Sequence, residues 1–192
     1  MTNFDEEIQN LIKQSTENIE KLKSLSEQIN QSIKVIIDCC RNGNKVIIFG
    51  NGGSAADAQH IAAEFIGRFE LERKSLAAIA LTTDTSVITS LSNDYDYDVV
   101  FSRQCESLVS KGDVVIGIST SGNSKNVYEG IITSKNKGAI TIGLLGNNGG
   151  ILKNSVDFSL IVGSSITSEI QEAHRVIYHI ICKIVEKELA KK

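Results

Sequence analysis

Apolar residues near the start of the chain recur with the spacing of a helix. Phe4, Ile8, Leu11, Ile12, Ile19, Leu22, Leu25, Ile29, Ile33 and Ile36 follow one another at intervals that keep them near one face. No glycine or proline interrupts residues 3–42, so the region is expected as one long helix or two in series. The stripe is narrow and is broken by Ser15 and Asn18. A narrow seam suits packing on other helices, including those of a second subunit. The alternative is a helical hairpin lying on its own domain.

From Gly43 the pattern changes. The short apolar runs KVIIFG, LAAIAL, DVVIGIS, AITIGLL and DFSLIV read as five strands of a parallel sheet covered on both faces. Helical stretches near 55–70, 86–110 and 124–136 lie between them, with a short one near 150–155. An amphipathic helix runs from about Thr167 to Leu189. This alternation predicts an α/β fold: a three-layer αβα sandwich on a five-stranded parallel sheet, flavodoxin-like, preceded by N-terminal helices. No repeat, linker or low-complexity tract divides the chain. A single domain over 1–192 is expected, with a helical region at 1–42 and the αβα core at 43–192. Such folds bind ligands at the carboxyl ends of their strands, so the loops there hold the candidate chemistry.

The first such loop is Gly50-Asn51-Gly52-Gly53-Ser54, opening a helix at Ala55. Glycines let the backbone approach a ligand, and the helix start offers free N–H groups to an anion or a polyhydroxyl. GNGGSA also fits a loose dinucleotide fingerprint. That fingerprint wants an acidic residue about 20 positions on, and Asp84 comes more than 30 positions after Gly50. The loop Ser119-Thr120-Ser121-Gly122-Asn123-Ser124 carries four hydroxyls at a helix start. Capping needs one of them; four make a neutral phosphate cradle. After the second strand, Asn93 and Asp94 offer hydrogen bonds to sugar hydroxyls, or form a plain turn.

Composition narrows the partners. The 192 residues carry a net charge of −3 and 41% hydrophobic residues, so the chain can build a full core and shows no basic footprint for nucleic acid. The start MTNFDEEIQN is polar, and no apolar run reaches the roughly 20 residues of a membrane span. The expectation is a cytoplasmic protein with no membrane partner. Cys39, Cys40, Cys105 and Cys182 form no CxxC pair and are expected as buried thiols.

Three histidines are present. His60 and Glu64, four apart, share one helix face and can bind a divalent metal, share a proton or form a surface ion pair. On the last helix Gln171 and His179 are about 80° apart in projection and can line one cleft. His174 lies about 140° from His179, so the two cannot serve one centre. Ile177, Ile180 and Ile181 around His179 also admit a core residue.

GNGGSAADAQH-IAAE, the SND turn, ISTSGNS and IQE-x-H-x-x-x-x-H together resemble the SIS (sugar isomerase) family over nearly the whole chain, and within it the sedoheptulose 7-phosphate isomerases. The resemblance implies a homotetramer with active sites at subunit contacts. It implies conversion of D-sedoheptulose 7-phosphate to D-glycero-D-manno-heptose 7-phosphate through an enediol, opening bacterial activated-heptose synthesis for lipopolysaccharide core or capsule. It assigns Glu64 as base and His179 as its acid-base partner. Asn51, Gly52, Gly53, Ser54, Glu64, Arg68, Asn93, Asp94, Ser119, Thr120, Ser121, Ser124 and Gln171 are implied as substrate contacts. His60, Glu64, Gln171 and His179 are implied as ligands of one zinc ion per subunit. The family's usual Asp-Arg before Ile-Gln-Glu is Ser168-Glu169 here, which leaves open another phosphosugar. Some relatives bind the replication initiator without catalysis; they are altered at the positions of Gly53, Glu64 and His179, which this chain keeps.

Overall fold

The computed structural model describes residues 4–191, so the outermost positions of the expected 1–42 region and 1–192 domain lie outside the described residues. Two helices in series, α1 (Asp5–Glu20) and α2 (Ser26–Arg41), are joined by a 3-10 turn. They are followed by β1 (Val46–Gly50), α3 (Gly53–Ile66), β2 (Ala78–Ala80), α4 (Thr85–Asp94), α5 (Ser102–Leu108), β3 (Val114–Ser119), α6 (Lys125–Asn136), β4 (Ile140–Gly146), β5 (Phe158–Val162) and α7 (Thr167–Leu189). The five strands form one parallel sheet in the order β2-β1-β3-β4-β5. This is the α/β architecture expected from the alternation of strands and helices.

Alternate strand residues supply two cores. Val46, Ile48, Val114, Ile116, Ile118, Ile142 and Leu144 meet α2, α3 and α7 on one face. Ile47, Phe49, Val115 and Leu145 meet α5 and α6 on the other. Burial of each such side chain contributes about 1.5–3 kcal/mol. In α7, Ile170, Ala173, Ile177, Ile181 and Val185 recur at three- or four-residue steps and are buried, so the helix lies flat on the first core.

Several boundaries differ from the sequence expectation. The LAAIAL run yields only a three-residue β2, because it is an edge strand paired to β1 alone. The single stretch expected near 86–110 is broken. Asp96 leaves helical geometry and its carboxylate accepts the Asp98 N–H at 2.9 Å, starting a short 3-10 turn before α5. Asn93 and Asp94 therefore end α4 rather than form a turn of their own. The stretch near 150–155 is a 3-10 turn at Leu152–Asn154.

The N-terminal stripe divides in two. Ile29, Ile33, Ile36 and Ile37 of α2 are buried in the core. Along α1 and just before it, Phe4, Ile8, Leu11 and Ile12 are about half exposed or more (58%, 49%, 56% and 55%) among the described residues. The two residues that break the stripe have a use. Ser15 donates to the Glu172 carboxylate at 2.8 Å and Asn18 to the Glu169 carbonyl at 3.0 Å, tying α1 to the start of α7.

His174 is fully buried, with Nε2 3.0 Å from the Leu145 carbonyl. It is a core histidine, on a different face of α7 from His179 as their angle requires. Burial holds its pKa below the ordinary histidine value. Between the unfolded value of about 6.5 and the lower folded one, the unfolded chain binds the extra proton. Stability is therefore present above about pH 6.5 and falls as pH drops toward the folded pKa. Urea unfolding across this range is expected to show that slope, and His174→Leu to flatten it; equal slopes in the two proteins would refute the assignment. Cys39, Cys105 and Cys182 are buried thiols as expected, while Cys40 is half-buried; all four are free.

Candidate active site

The sheet order reverses direction at β1, which has β2 on one side and β3 on the other. A crevice opens at such a switch point, beyond the strand ends. The glycine loop after β1 and the hydroxyl loop after β3 border it. An amide pair bridges it: Asn51 donates to Asn126 and Asn126 to Asn51, each at 2.9 Å. Tyr97 adds a hydrogen bond to Asn51 Oδ1 at 3.1 Å. Asn126 and Tyr97 were not among the residues singled out from sequence.

Gly52 has φ +56° and ψ −121°, a backbone conformation suited to glycine. It turns the chain into α3, whose first residues bond back to the loop through Ser54 N to Asn51 O at 2.9 Å. Ser54 itself is buried. The Gln171 amide lies directly over Gly53: a Cβ there would fall 2.3 Å from Gln171 Nε2. Gly53 thus leaves the space that Gln171 occupies.

In the hydroxyl loop the Ser119 and Ser124 hydroxyls are 2.9 Å apart, and Ser119 accepts the Gly122 N–H at 3.1 Å. Ser121 accepts the Asn123 N–H, also at 3.1 Å. Ser124 occupies the cap position of α6, yet its side chain makes no cap hydrogen bond. Capping therefore does not account for the serines. Thr120 is half-buried beside them. Gly122 has φ +69°, and a Cβ there would come 2.3 Å from the Gly149 carbonyl. Gly122→Ala is expected to destabilise the fold by about 1–3 kcal/mol; a urea midpoint equal to wild type would show that this loop tolerates movement.

The third cluster lies farther along α3 and α7. His60 Nε2 is 2.9 Å from Glu64 Oε1. Ligand atoms of His60, Glu64 and His179 all fall within 4.8 Å of one another. The His60 and His179 rings are 5.1 Å apart, and Phe69 lies 5.5 Å from His179. His179 Nε2 is buried with no hydrogen-bond partner, which is costly unless something else takes it. Two imidazoles, a carboxylate and one orphaned buried nitrogen fit a divalent cation such as zinc. Burial, and then the neighbouring His60, hold the His179 pKa below the ordinary value against the opposing pull of Glu64. His179 is thus neutral near pH 7 and able to take or give a proton.

The structure does not bring every predicted residue to this cluster. Gln171 and His179 are eight residues apart on one helix, about 12 Å along its axis, and the Gln171 amide lies over Gly53. Gln171 therefore stands with the glycine loop and apart from the other three proposed ligands. Arg68 makes an exposed ion pair with Glu72 at 3.7 Å. Asn93 donates to Asp94 at 2.9 Å, and both are exposed at the end of α4.

The end of α3 is held from outside. Arg73 donates to the Glu64 carbonyl at 2.7 Å and to the Phe65 carbonyl at 2.9 Å. Its Nε lies 3.3 Å from Glu186 Oε1, with both side chains almost wholly buried. Glu186 also accepts the N–H groups of Phe69, Glu70 and Leu71 at 2.7, 2.6 and 2.8 Å. Burial raises its pKa, but these bonds and Arg73 together bring it below the usual carboxylate value. No local pattern of residues marks this anchor.

Residues 9–146 match the SIS domain family. The chain belongs to the SIS domain family. Relatives sharp enough in similarity to place it within that family are phosphoheptose isomerases. The phosphoheptose isomerase of Geobacter metallireducens is 48% identical over 189 residues, covering 98% of this chain and 100% of the relative. The probable phosphoheptose isomerase of Thermoplasma acidophilum is 55% identical over 171 residues, covering 89% and 90%. Among solved structures, phosphoheptose isomerase GmhA from Neisseria gonorrhoeae superposes with TM-score 0.91 at 38% identity, covering 96% of this chain and all of that one. A phosphoheptose isomerase from Francisella tularensis gives 0.92 at 35%, covering 97% and 100%. This SIS chain is an isomerase enzyme of the phosphoheptose isomerase group.

Proposed function

We propose that the chain converts D-sedoheptulose 7-phosphate to D-glycero-D-manno-heptose 7-phosphate through an enediol, as the first step of activated-heptose synthesis for lipopolysaccharide or capsule. The observation that carries the reading is the convergence of His60, Glu64 and His179, with an orphaned Nε2, in a chain about 50% identical to phosphoheptose isomerases. The hydroxyls of Ser119, Thr120, Ser121 and Ser124 hold the phosphate, and Asn51, Gly52, Gly53, Ser54 and Gln171 meet the sugar. Arg68, Asn93 and Asp94 complete the contacts once subunits assemble.

The reaction moves one proton between neighbouring carbons. Glu64 takes the C1 proton of the ketose and returns it to C2. His179 passes the accompanying proton between the C2 and C1 oxygens. Burial keeps its imidazole neutral near pH 7, so it can accept the proton from one oxygen and deliver it to the other. Phe69 and Tyr178 pack against the His179 ring and limit water around it. Zinc, held by His60, Glu64 and His179, supplies Lewis-acid polarisation of the carbonyl oxygen when bound. Glu64 has two carboxylate oxygens, so ligation and proton transfer do not exclude each other there, whereas His179 carries the proton only while its Nε2 is free of the metal.

The assembly we propose is a homotetramer in the cytoplasm. Its support is the exposed stripe of Phe4, Ile8, Leu11 and Ile12 along α1, together with exposed Ile180 and Ile184 on α7. Among the described residues no helix is long and apolar enough to cross a membrane. The test is turnover of sedoheptulose 7-phosphate, followed by NMR detection of the aldoheptose phosphate, with and without zinc. Absence of product under every metal condition would overturn the reading.

A further inference from the structure

A polar network reaches His60 from the side opposite Glu64. The Tyr178 hydroxyl oxygen lies 3.1 Å from His60 Nδ1, 3.2 Å from Asp57 Oδ1 and 3.1 Å from Arg175 Nε. Arg175 Nη2 is also 3.1 Å from Asp57 Oδ1. Asp57 and Tyr178 are almost wholly buried, at 2% and 1% exposure.

Counting protons leaves one assignment that satisfies the buried pair. A phenol has one proton and two lone pairs. The guanidinium Nε can only donate. Asp57, a carboxylate in an ion pair with Arg175, can only accept. The Tyr178 proton therefore goes to Asp57. One lone pair takes the Arg175 N–H, and the other faces His60 Nδ1, which must carry a proton. The opposite tautomer would send its proton from Nε2 to Glu64. Tyr178 would then donate to Nδ1, leaving its oxygen facing Asp57 Oδ1 at 3.2 Å with no proton between them. Water can serve Glu64 and His60, whose side chains are 20% and 40% exposed. It cannot reach the Tyr178–Asp57 pair, where in that tautomer the phenol and carboxylate oxygens face each other with only the Arg175 N–H groups to offset them.

We propose that Asp57, Arg175 and Tyr178 are positioning residues that hold His60 as the Nδ1–H tautomer and turn its Nε2 lone pair toward Glu64 and His179. The inference rests on the proposed role of His60 as a metal ligand. A metal-binding imidazole gains a fixed orientation and greater basicity when its other nitrogen donates to an outer partner. It also explains why Nε2 and Glu64 Oε1, two acceptors in this tautomer, sit 2.9 Å apart: the pair is set for a positive centre.

The experiment has two readouts. Long-range ¹H–¹⁵N correlation on metal-free, labelled protein at about pH 8, above the ordinary histidine range, reports which His60 nitrogen is protonated. Zinc affinity is read by competition with a chelating dye. Wild type is expected to show protonated Nδ1 and bare Nε2. Tyr178→Phe is expected to lose that preference and to bind zinc about 10- to 100-fold more weakly, with an unchanged circular dichroism spectrum. A protonated Nε2 in wild type would overturn the proposal, as would a folded Tyr178→Phe protein with unchanged tautomer and zinc affinity. Should Tyr178→Phe not fold, Asp57→Asn serves. Its amide can donate to the phenol oxygen and free the phenol proton for Nδ1, so His60 shifts toward Nε2–H; an unchanged tautomer there also overturns the proposal. Failure of the isomerase assay with the expected tautomer present would remove the proposed reaction and leave this network standing.

Discussion

Glu64→Gln is expected to lower kcat by about 10²- to 10⁴-fold, the range for loss of a positioned acid-base group. The amide has nearly the shape of the carboxylate but cannot take a proton from carbon. The fold has little reason to respond. The Glu64 side chain is half-buried, and its backbone carbonyl keeps its bond to Arg73. An amide can also donate its N–H to the bare His60 Nε2, now 2.9 Å from Glu64 Oε1. The hydroxyl loop lies on β3 and α6 rather than on this stretch of α3, so KM for the sugar phosphate is expected to stay within a few-fold. Steady-state kinetics with NMR detection separates the two quantities. A kcat within a few-fold of wild type would exclude Glu64 as the base.

Glu186→Ala is expected to cost about 3–5 kcal/mol of stability, the usual loss when one partner of a buried ion pair is removed. Arg73 would be left with its Nε uncompensated in a site where its side chain is only 3% exposed. The N–H groups of Phe69, Glu70 and Leu71 would lose their common acceptor. Stability of about 5–15 kcal/mol is ordinary for a domain, so the change removes a large share. The effect should spread to the reactive cluster, because Arg73 holds the last carbonyls of α3 next to Glu64. Urea unfolding measures it directly. A loss below about 1 kcal/mol, the level of an exposed pair, would show that the segment after α3 finds other acceptors.

Several parts of the site were legible in the order of residues. The hydroxyls of Ser119 to Ser124 and the glycines of 50–53 follow directly on strands, where an α/β sheet presents its ligands. His60 and Glu64 stand four apart in a helical stretch, and the structure places them on one face as that period requires. The 80° separation of Gln171 and His179 was less informative. Projection down a helix ignores rise, and the rise carries Gln171 to Gly53 while His179 reaches His60. Asp57 carried a faint signal, three residues before His60 on α3. Tyr178 had none, being one more bulky residue in an apolar stretch.

The chain order, the short continuous apolar runs and the 3.6-residue period determined the strands, the covering helices and the loops that carry hydroxyls, because those patterns are complete within windows of a few turns. Tertiary structure alone decided how far the edge strand extends and that the Gln171 amide lies over Gly53. It also decided that Tyr178, 118 residues from His60 in sequence, shares a proton network with it, and that Glu186 anchors the backbone after α3. All but the first depend on the offset at which α7 packs along α3. That offset is set by the fit of buried side chains such as Ile61, Phe65, Ile177 and Ile181, a property of two surfaces in contact that neither helix encodes by itself.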